Sequence, residues 1–284
     1  MKADDLDILS DDDLAARALP FNLTLLAGQR VLVSGGGGGL GRAIAWTCAR
    51  LGAEVVLTGR NQDKLDHIVG GLNAAGLKAH GMLCNIRKHD EVVALFSTVV
   101  ERFGQIDLLV NNAGGQFPSP ALDISPNGWH AVIETNLTGT WYMMQAAAQQ
   151  WRAAGRPGSI VNIIAVTDRG MPGVAHTAAA RAGVEALGKT VAIEWAEFGI
   201  RVNAIAPGAI ATEGQRVYSD AARARSARSN PMMRFGDAAD IADAVVFVGG
   251  ASGKFITGET LDIDGGGKLW GEFWVAEDKP DYFK

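Results

Sequence analysis

An α/β fold is predicted for this chain: a single doubly wound parallel sheet of seven strands with helices on both faces. Three observations predict it. From Gln29 onward, short apolar β-branched runs alternate strictly with amphipathic helical stretches. Such alternation is the pattern of parallel strands joined by crossover helices. Most of the strand candidates are apolar on both faces, as strands covered from both sides should be. The first of them feeds a glycine run, Gly35 to Gly39, followed by Leu40, Gly41 and a helix-like stretch.

The strand candidates are Val31–Val33, Val55–Thr58, Ala79–Leu83, Leu108–Val110, Ser159–Ile164, Val202–Ile205 and Thr260–Ile263. Helices are expected between them at Leu40–Leu51, Gln62–Ala75, Asp90–Phe103, Gly128–Ala154, Ala178–Phe198 and Ala238–Val248. Residues 1–26 read as a loosely ordered acidic extension that packs one edge, and residues 27–267 as the domain. Within it, Pro207 to Phe235 lacks hydrophobic periodicity and carries Arg216, Arg223, Arg225, Arg228 and Arg234. A loop this long in a compact domain is commonly a lid, and 207–235 is read as one over the substrate. Residues 268–284 hold Trp270, Phe273, Trp274, Tyr282 and Phe283. These aromatics are expected to dock on the same subunit or a partner.

Composition narrows the function. The chain has 284 residues, 48% hydrophobic and 20% charged, which allows one large core. The net charge is −5. Asp4, Asp5, Asp7, Asp11, Asp12 and Asp13 against Lys2 account for it, so the body is near neutral. It offers no basic field for nucleic acid or anionic lipid. No apolar run approaches the roughly 20 residues of a membrane span, and the acidic start lacks the apolar core of a signal peptide. Cys48 and Cys84 lie in apolar elements with no metal-like spacing, and no metal is expected. A soluble cytoplasmic protein with buried free thiols is the expectation.

The glycine run carries the first chemical signal. Only backbone with little side-chain bulk can approach a phosphate closely, and a helix N-terminus beyond it supplies unpaired N–H groups and a positive dipole end. That is the physics of a dinucleotide pyrophosphate site. In sheets of this kind an acid ends the second strand and holds the ribose 2′-hydroxyl. This chain has Thr58-Gly-Arg-Asn61 instead. A guanidinium pairs with phosphate through two hydrogen bonds, so Arg60 favours NADP(H) over NAD(H). The competing reading of Arg60 is a solvated residue at a helix start. Asn111-Asn-Ala-Gly114 directly follows a strand and can pack beside a ribose.

Ser34-Gly-xxx-Gly39-Leu-Gly41, Asn111-Asn-Ala-Gly114, Asn136, Pro207-Gly208 and Asp264-Gly-Gly266 occur in this order. In that order they resemble the short-chain dehydrogenase/reductase family over residues 27–267. The resemblance implies a single Rossmann-type domain, a nicotinamide cofactor and a homodimer or homotetramer. It places Ser34, Gly35, Gly37, Gly38, Gly39, Leu40 and Gly41 at or beside the pyrophosphate. Asn85 and Ile86 would flank the adenine, and Asn112, Ala113 and Gly114 the ribose. Pro207, Gly208, Ile210 and Thr212 would surround the nicotinamide amide. The basic residue that many NADPH-using members carry in the glycine loop is Gly38 here, which leaves Arg60 alone with the 2′-phosphate.

The catalytic positions depart from the family. Its members normally carry Tyr-x-x-x-Lys, and here Thr177 and Arg181 stand in those places. The usual serine falls at Ile164 or Ala165, and only Asn136 remains of the tetrad. A phenol beside a lysine can shuttle a proton near neutral pH, whereas a threonine hydroxyl cannot. Carbonyl reduction, which must protonate an alkoxide, looks compromised. Reduction of a 2-enoyl thioester makes a different demand. Charge develops on the thioester oxygen, which needs hydrogen-bond donors, and Thr177 and Arg181 can serve there.

The run Asn111 to Phe117, Gly128-Trp-His-Ala and Glu134-Thr-Asn-Leu-Thr-Gly139 resemble trans-2-enoyl-CoA reductases of the peroxisomal type. That resemblance implies an acyl thioester as substrate, with Asn136, Thr177 and Arg181 as the catalytic candidates; Arg181 is also a cofactor-binding candidate, at the nicotinamide ribose. The branch's own tyrosine donor falls at Glu185, and the tyrosine of related dienoyl-CoA reductases at Thr167, so the proton donor is unassigned. Gln116 and Phe117 are candidates for the substrate pocket, and His176 and Asp168 for carrying protons. Tyr142 beside Trp141 reads as packing or a subunit contact. An alcohol dehydrogenase with a displaced proton relay, and a catalytically silent NADP-binding protein, remain open.

Overall fold

The computed structural model describes residues 6–269. The aromatic segment from Trp270 on and the acids Asp4 and Asp5 lie outside the described residues. The strands are β1 (Arg30–Ser34), β2 (Glu54–Gly59), β3 (Ala79–Leu83), β4 (Leu108–Asn111), β5 (Gly158–Ile163), β6 (Ile200–Pro207) and β7 (Thr260–Ile263). They form one seven-stranded sheet in the order β3-β2-β1-β4-β5-β6-β7, every pair parallel. The order reverses between β1 and β4. Sheets of this kind bind ligands at such a reversal, beyond the strands' carboxyl ends.

The helices are α1 (Asp11–Ala16), α2 (Gly39–Arg50), α3 (Gln62–Ala74), α4 (His89–Phe103), α5 (Pro126–Ile133), α6 (Gly139–Ala154), α7 (Ala175–Glu194), α8 (Asp220–Ser226) and α9 (Ala238–Gly249). On one face of the sheet, Ile44 and Trp46 of α2, Leu65 and Leu72 of α3 and Val245 of α9 bury against Val31, Val33 and Val55. On the other, Phe96 of α4, Met143 and Trp151 of α6 and Val191 of α7 bury against Leu32, Leu109 and Ile160. Strands β1, β2, β4, β5 and β6 therefore have apolar side chains on both faces, as their sequences require. Trp151 keeps its indole N–H satisfied by donating to the Ile106 carbonyl at 2.5 Å.

Three expectations are corrected. The N-terminal extension is not loose. Ser10 and Asp13 form a capping box that starts α1, Leu14 is fully buried, and Arg17 bridges Asp243 and Thr47. Asp11 accepts from Trp46 Nε1 at 3.0 Å and from Arg42 at 3.1 Å, which docks the segment on α2. The helix expected over 128–154 is not continuous, because Glu134–Thr138 is a π-helical turn between α5 and α6. Third, 207–235 is not irregular throughout. It contains a 3₁₀ turn, Glu213–Val217, and α8, with Arg223 and Asn230 buried. No helix among the described residues is long and apolar enough to cross a membrane.

Candidate active site

The glycine loop leaves β1 and turns into α2. Gly35 has φ +69°, and a Cβ there would stand 2.8 Å from the Ala113 Cα. A Cβ on Gly41 would run into the Gly35 carbonyl, so α2 can start this close to the strand only with glycine at 41. Gly38 precedes α2 with no side chain capping the helix, and nothing lies within 4 Å of the space beside it. The first N–H groups of α2 thus face an open, uncapped cradle suited to an anion. Ser34 lies beneath. Its Oγ accepts from the N–H groups of Asn112 and Ala113, each at 3.1 Å. Asn112 Nδ2 donates to the carbonyls of Ser34 and Gly35. The glycine loop and the Asn112–Gly114 turn are therefore laced into one floor. Leu40 is half-buried against the core.

Arg60 stands exposed just after β2. It does not have the ground to itself: Lys64 of α3 packs its Cβ 3.1 Å from the space a side chain on Gly37 would need. Sequence reasoning missed this second cation, whose approach to the loop depends on how α3 crosses β2. After β3, Asn85 accepts from the Arg87 N–H at 3.3 Å, and Ile86 is buried against the backbone of Gly139. After β6, the Gly208 N–H donates to the Ile263 carbonyl at 2.9 Å, and a Cβ on Gly208 would sit 2.7 Å from the Asp264 Cα. Pro207 ends β6, and Ile210 is buried where it bridges to Gly236. Thr212 opens onto Gly39, so the 207–235 segment starts over the glycine loop. Glu213 beside it faces Arg42 at 3.8 Å.

Asn136 lies in the π-helical turn and is buried. Turns of this kind recur at functional sites because they re-aim a side chain without ending the helix. Its Oδ1 accepts from the Gly115 N–H and its Nδ2 donates to the Gly115 carbonyl, both at 2.9 Å. The amide thus clamps the loop that follows the Asn112–Gly114 turn.

Thr177 and Arg181 are both buried on α7. The Arg181 guanidinium fills the space beside Gly114, where any other side chain would collide with it. Its Nη1 is buried with no hydrogen-bond partner. Burial lowers its pKa to about 10, so it is a desolvated cation at neutral pH. Thr177 Oγ1 is 3.4 Å from His176 Nδ1, which also accepts the Thr177 backbone N–H. The His176 ring is edge-on to Phe117 at 4.6 Å, and its Nε2 is buried without a partner.

Other candidates fall outside this group. Asp168 pairs with Lys268 at 2.8 Å. Glu185, at the position of the branch's tyrosine, is engaged by Lys189 at 2.7 Å and Thr260 at 3.3 Å. Tyr142 packs edge-on to His89. Cys48 and Cys84 are buried free thiols. Among the described residues no cluster of three or more His, Cys, Asp or Glu could hold a metal.

A residue that sequence reasoning did not single out enters from the 207–235 segment. Tyr218 follows the 3₁₀ turn, and Gln116 Nε2 donates to its hydroxyl. The two residues stand 102 positions apart, so no local pattern signals the pairing. Burial, the larger influence, raises the phenol's pKa, and the Gln116 bond opposes it.

Residues 35–268 match a family model described as enoyl-(acyl carrier protein) reductase. The "Probable 2,4-dienoyl-CoA reductase [(2E)-enoyl-CoA-producing]" of Bacillus subtilis is 38% identical over 84% of this chain and 96% of its own length. Among solved structures, the citronellol catabolism dehydrogenase of Pseudomonas aeruginosa PAO1 superposes with a TM-score of 0.79 at 38% identity, covering 88% of this chain and 98% of that one. A gluconate 5-dehydrogenase from Burkholderia cenocepacia, in complex with NADP and tartrate, gives 0.81 at 33% identity over 86% and 96%.

Proposed function

The chain belongs to the short-chain dehydrogenase/reductase family, and from that premise we propose that this NAD(P)-dependent oxidoreductase uses NADPH to saturate the C2=C3 bond of a 2-enoyl thioester. The observation that carries the reading is the Thr177–Arg181 pair, in which a buried guanidinium keeps an unpartnered Nη1. A cation held out of water interacts more strongly with a charge that develops beside it. In enoyl reduction that charge is on the thioester oxygen, to which Arg181 and the Thr177 hydroxyl donate. A threonine hydroxyl is too weak an acid to serve as the proton source for an alkoxide, which disfavours carbonyl chemistry at this pair.

The uncapped N-terminus of α2 and the loop Gly35–Gly39 would hold the cofactor's pyrophosphate, with Ser34, Leu40 and Gly41 shaping the loop. Asn85 and Ile86 would border the adenine, and Asn112, Ala113 and Gly114 the ribose. Arg60, now with Lys64, would take the 2′-phosphate. Pro207, Gly208, Ile210 and Thr212 would position the nicotinamide amide. NADPH, when bound, supplies a hydride from its nicotinamide ring. Asn136 holds Gly115, and through it the loop that carries Gln116 and Phe117 to the substrate side. The acyl-CoA chemistry in the name of the Bacillus relative supports the substrate class, and the NADP in the Burkholderia structure supports the cofactor.

An alcohol or hydroxy-acid substrate is the second reading, favoured by the citronellol and gluconate relatives. Assembly as a homodimer or homotetramer belongs to the same proposal. The large apolar side chains of Ile193 on α7 and of Phe255 are left exposed for such contacts. The deciding experiment follows NADPH oxidation with a panel of 2-enoyl-CoAs and NADP⁺ reduction with a panel of alcohols. Turnover on the enoyl panel is expected. Turnover on alcohols alone contradicts the first reading. NADP(H) binding without turnover on either panel would make the chain a catalytically silent binder.

A further inference from the structure

We propose that Tyr218, carried in by the lid, is the proton donor that Thr177 cannot be. The inference rests on the reductase reading above. It begins from the Gln116–Tyr218 hydrogen bond. Gln116 sits between Gly115, clamped by Asn136, and Phe117, whose ring meets His176 beside Thr177. The phenol is therefore tied to the same short loop that borders Asn136, Thr177 and Arg181.

The lid holds the tyrosine in place. Arg223 of α8 is buried, and its guanidinium donates to the Tyr218 carbonyl at 2.5 Å and also pairs with Asp220. Ser219, the next residue, accepts from the Ala222 N–H and starts α8. A buried arginine bonded to the tyrosine's own carbonyl fixes the backbone from which the phenol projects.

The chemistry of the phenol suits the role. Gln116 donates to its oxygen, which leaves the hydroxyl hydrogen available to another acceptor. The phenol is protonated at neutral pH with or without the upward push of burial, and the Gln116 bond steadies the phenolate that donation leaves behind. Once Cβ of the enoyl thioester has been reduced, the remaining enolate takes this proton at Cα. The Cα=C π pair takes the proton to form the Cα–H bond, a lone pair on the enolate oxygen re-forms the thioester carbonyl, and the Tyr218 O–H pair stays on the phenolate. Water reaching the half-exposed ring then reprotonates the phenolate.

The test is Tyr218→Phe, with product label as well as rate. In D₂O, the parent enzyme with NADPH and a 2-enoyl-CoA is expected to place deuterium on one face of Cα. The variant should bind NADPH as before and lose about 100-fold or more in kcat, the lower end of a general-acid contribution. What product it makes should carry label on both faces of Cα. Unchanged kcat with one-face labelling overturns the proposal. Gln116→Leu, which removes only the bond that orients the phenol, should give a smaller loss in the same direction and serves if Tyr218→Phe fails to fold.

A parent that reduces carbonyls but no enoyl thioester defeats the alkene reading alone. The same variant assayed on carbonyls then decides, with a comparable loss supporting the donor and no loss overturning it. The chain has three tyrosines, so 3-fluorotyrosine labelling gives an assay independent of turnover. The Tyr218 resonance should shift when NADP⁺ and a saturated acyl-CoA bind together. An unmoved resonance with both ligands shown to be bound overturns the proposal, as does a parent inactive on both panels.

Discussion

The Arg181 guanidinium occupies the space beside Gly114 that a methyl group would need. One residue of the turn after β4 and one residue of α7 are thus coupled by exclusion. Gly114→Ala should push the guanidinium away and lower kcat/KM by at least about tenfold, or roughly 1.4 kcal/mol of transition-state stabilisation. Arg181→Leu should remove activity yet leave the fold as stable or more stable by about 1 kcal/mol, because a buried cation without a partner opposes folding. Urea unfolding of both variants beside steady-state assays checks the pair. A large destabilisation in Arg181→Leu would assign the arginine to the fold instead of the chemistry.

Arg60 and Lys64 flank the ground proposed for the 2′-phosphate. Arg60→Asp should raise the KM for NADPH by about 10- to 100-fold, the range of one lost charge-assisted bond, with little effect on NADH. Lys64→Ala should act in the same direction more weakly. Equal use of NADH and NADPH by the parent would count against the cofactor assignment, and an unaffected Lys64→Ala would return the 2′-phosphate to Arg60 alone.

Asn136 satisfies both the N–H and the carbonyl of Gly115. Asn136→Ala leaves those groups without their partner and should cost about 1–3 kcal/mol of stability. Because the same loop carries Gln116, KM for the acyl substrate should rise together with a fall in kcat. Asn136→Asp, which keeps only the accepting half, should fall between parent and alanine variant in melting temperature. Parent-like stability in the alanine variant would show that the clamp is dispensable.

The fold was legible because its signals are local. Every strand lies within two residues of its expected bounds, since short β-branched runs bounded by glycine or polar residues mark buried strands. The π-helical turn at Glu134–Thr138 was not legible, because one extra residue per turn leaves the apolar pattern of 128–154 nearly unbroken. The first helix was signalled by Ser10 and Asp13, but six residues burying one leucine give almost no periodicity. In the site, the glycine loop and the Asn112–Gly114 turn were readable from spacing. Lys64, Tyr218 and the clamp on Gly115 were not, because each depends on elements that meet only after the chain has folded.

Burial pushes the Cys48 thiol from 9.0 up to about 12 and that of Cys84 up to about 11. Well below pH 9 both thiols are protonated in folded and unfolded chains alike, and their full contribution to stability is present. As pH rises from 9 toward these values, the unfolded chain releases the protons first, so stability declines. The slope is at most about 1.4 kcal/mol per pH unit for each thiol. Urea midpoints measured from pH 8 to 10 should fall, and Cys48→Ala should make the fall shallower. An identical pH dependence in parent and variant would remove Cys48 from the account.

The central claim concerns which bond is reduced. The purified protein is given NADPH and an equimolar mixture of a 2-enoyl-CoA and a 3-oxoacyl-CoA of the same chain length, and the products are identified by mass. The account predicts that saturated acyl-CoA accumulates while the 3-oxoacyl-CoA persists, because Thr177 and Arg181 at the oxygen can support an enolate but not protonate an alkoxide, and the proton of Tyr218 is delivered at Cα. Accumulation of 3-hydroxyacyl-CoA with the enoyl-CoA untouched would contradict it.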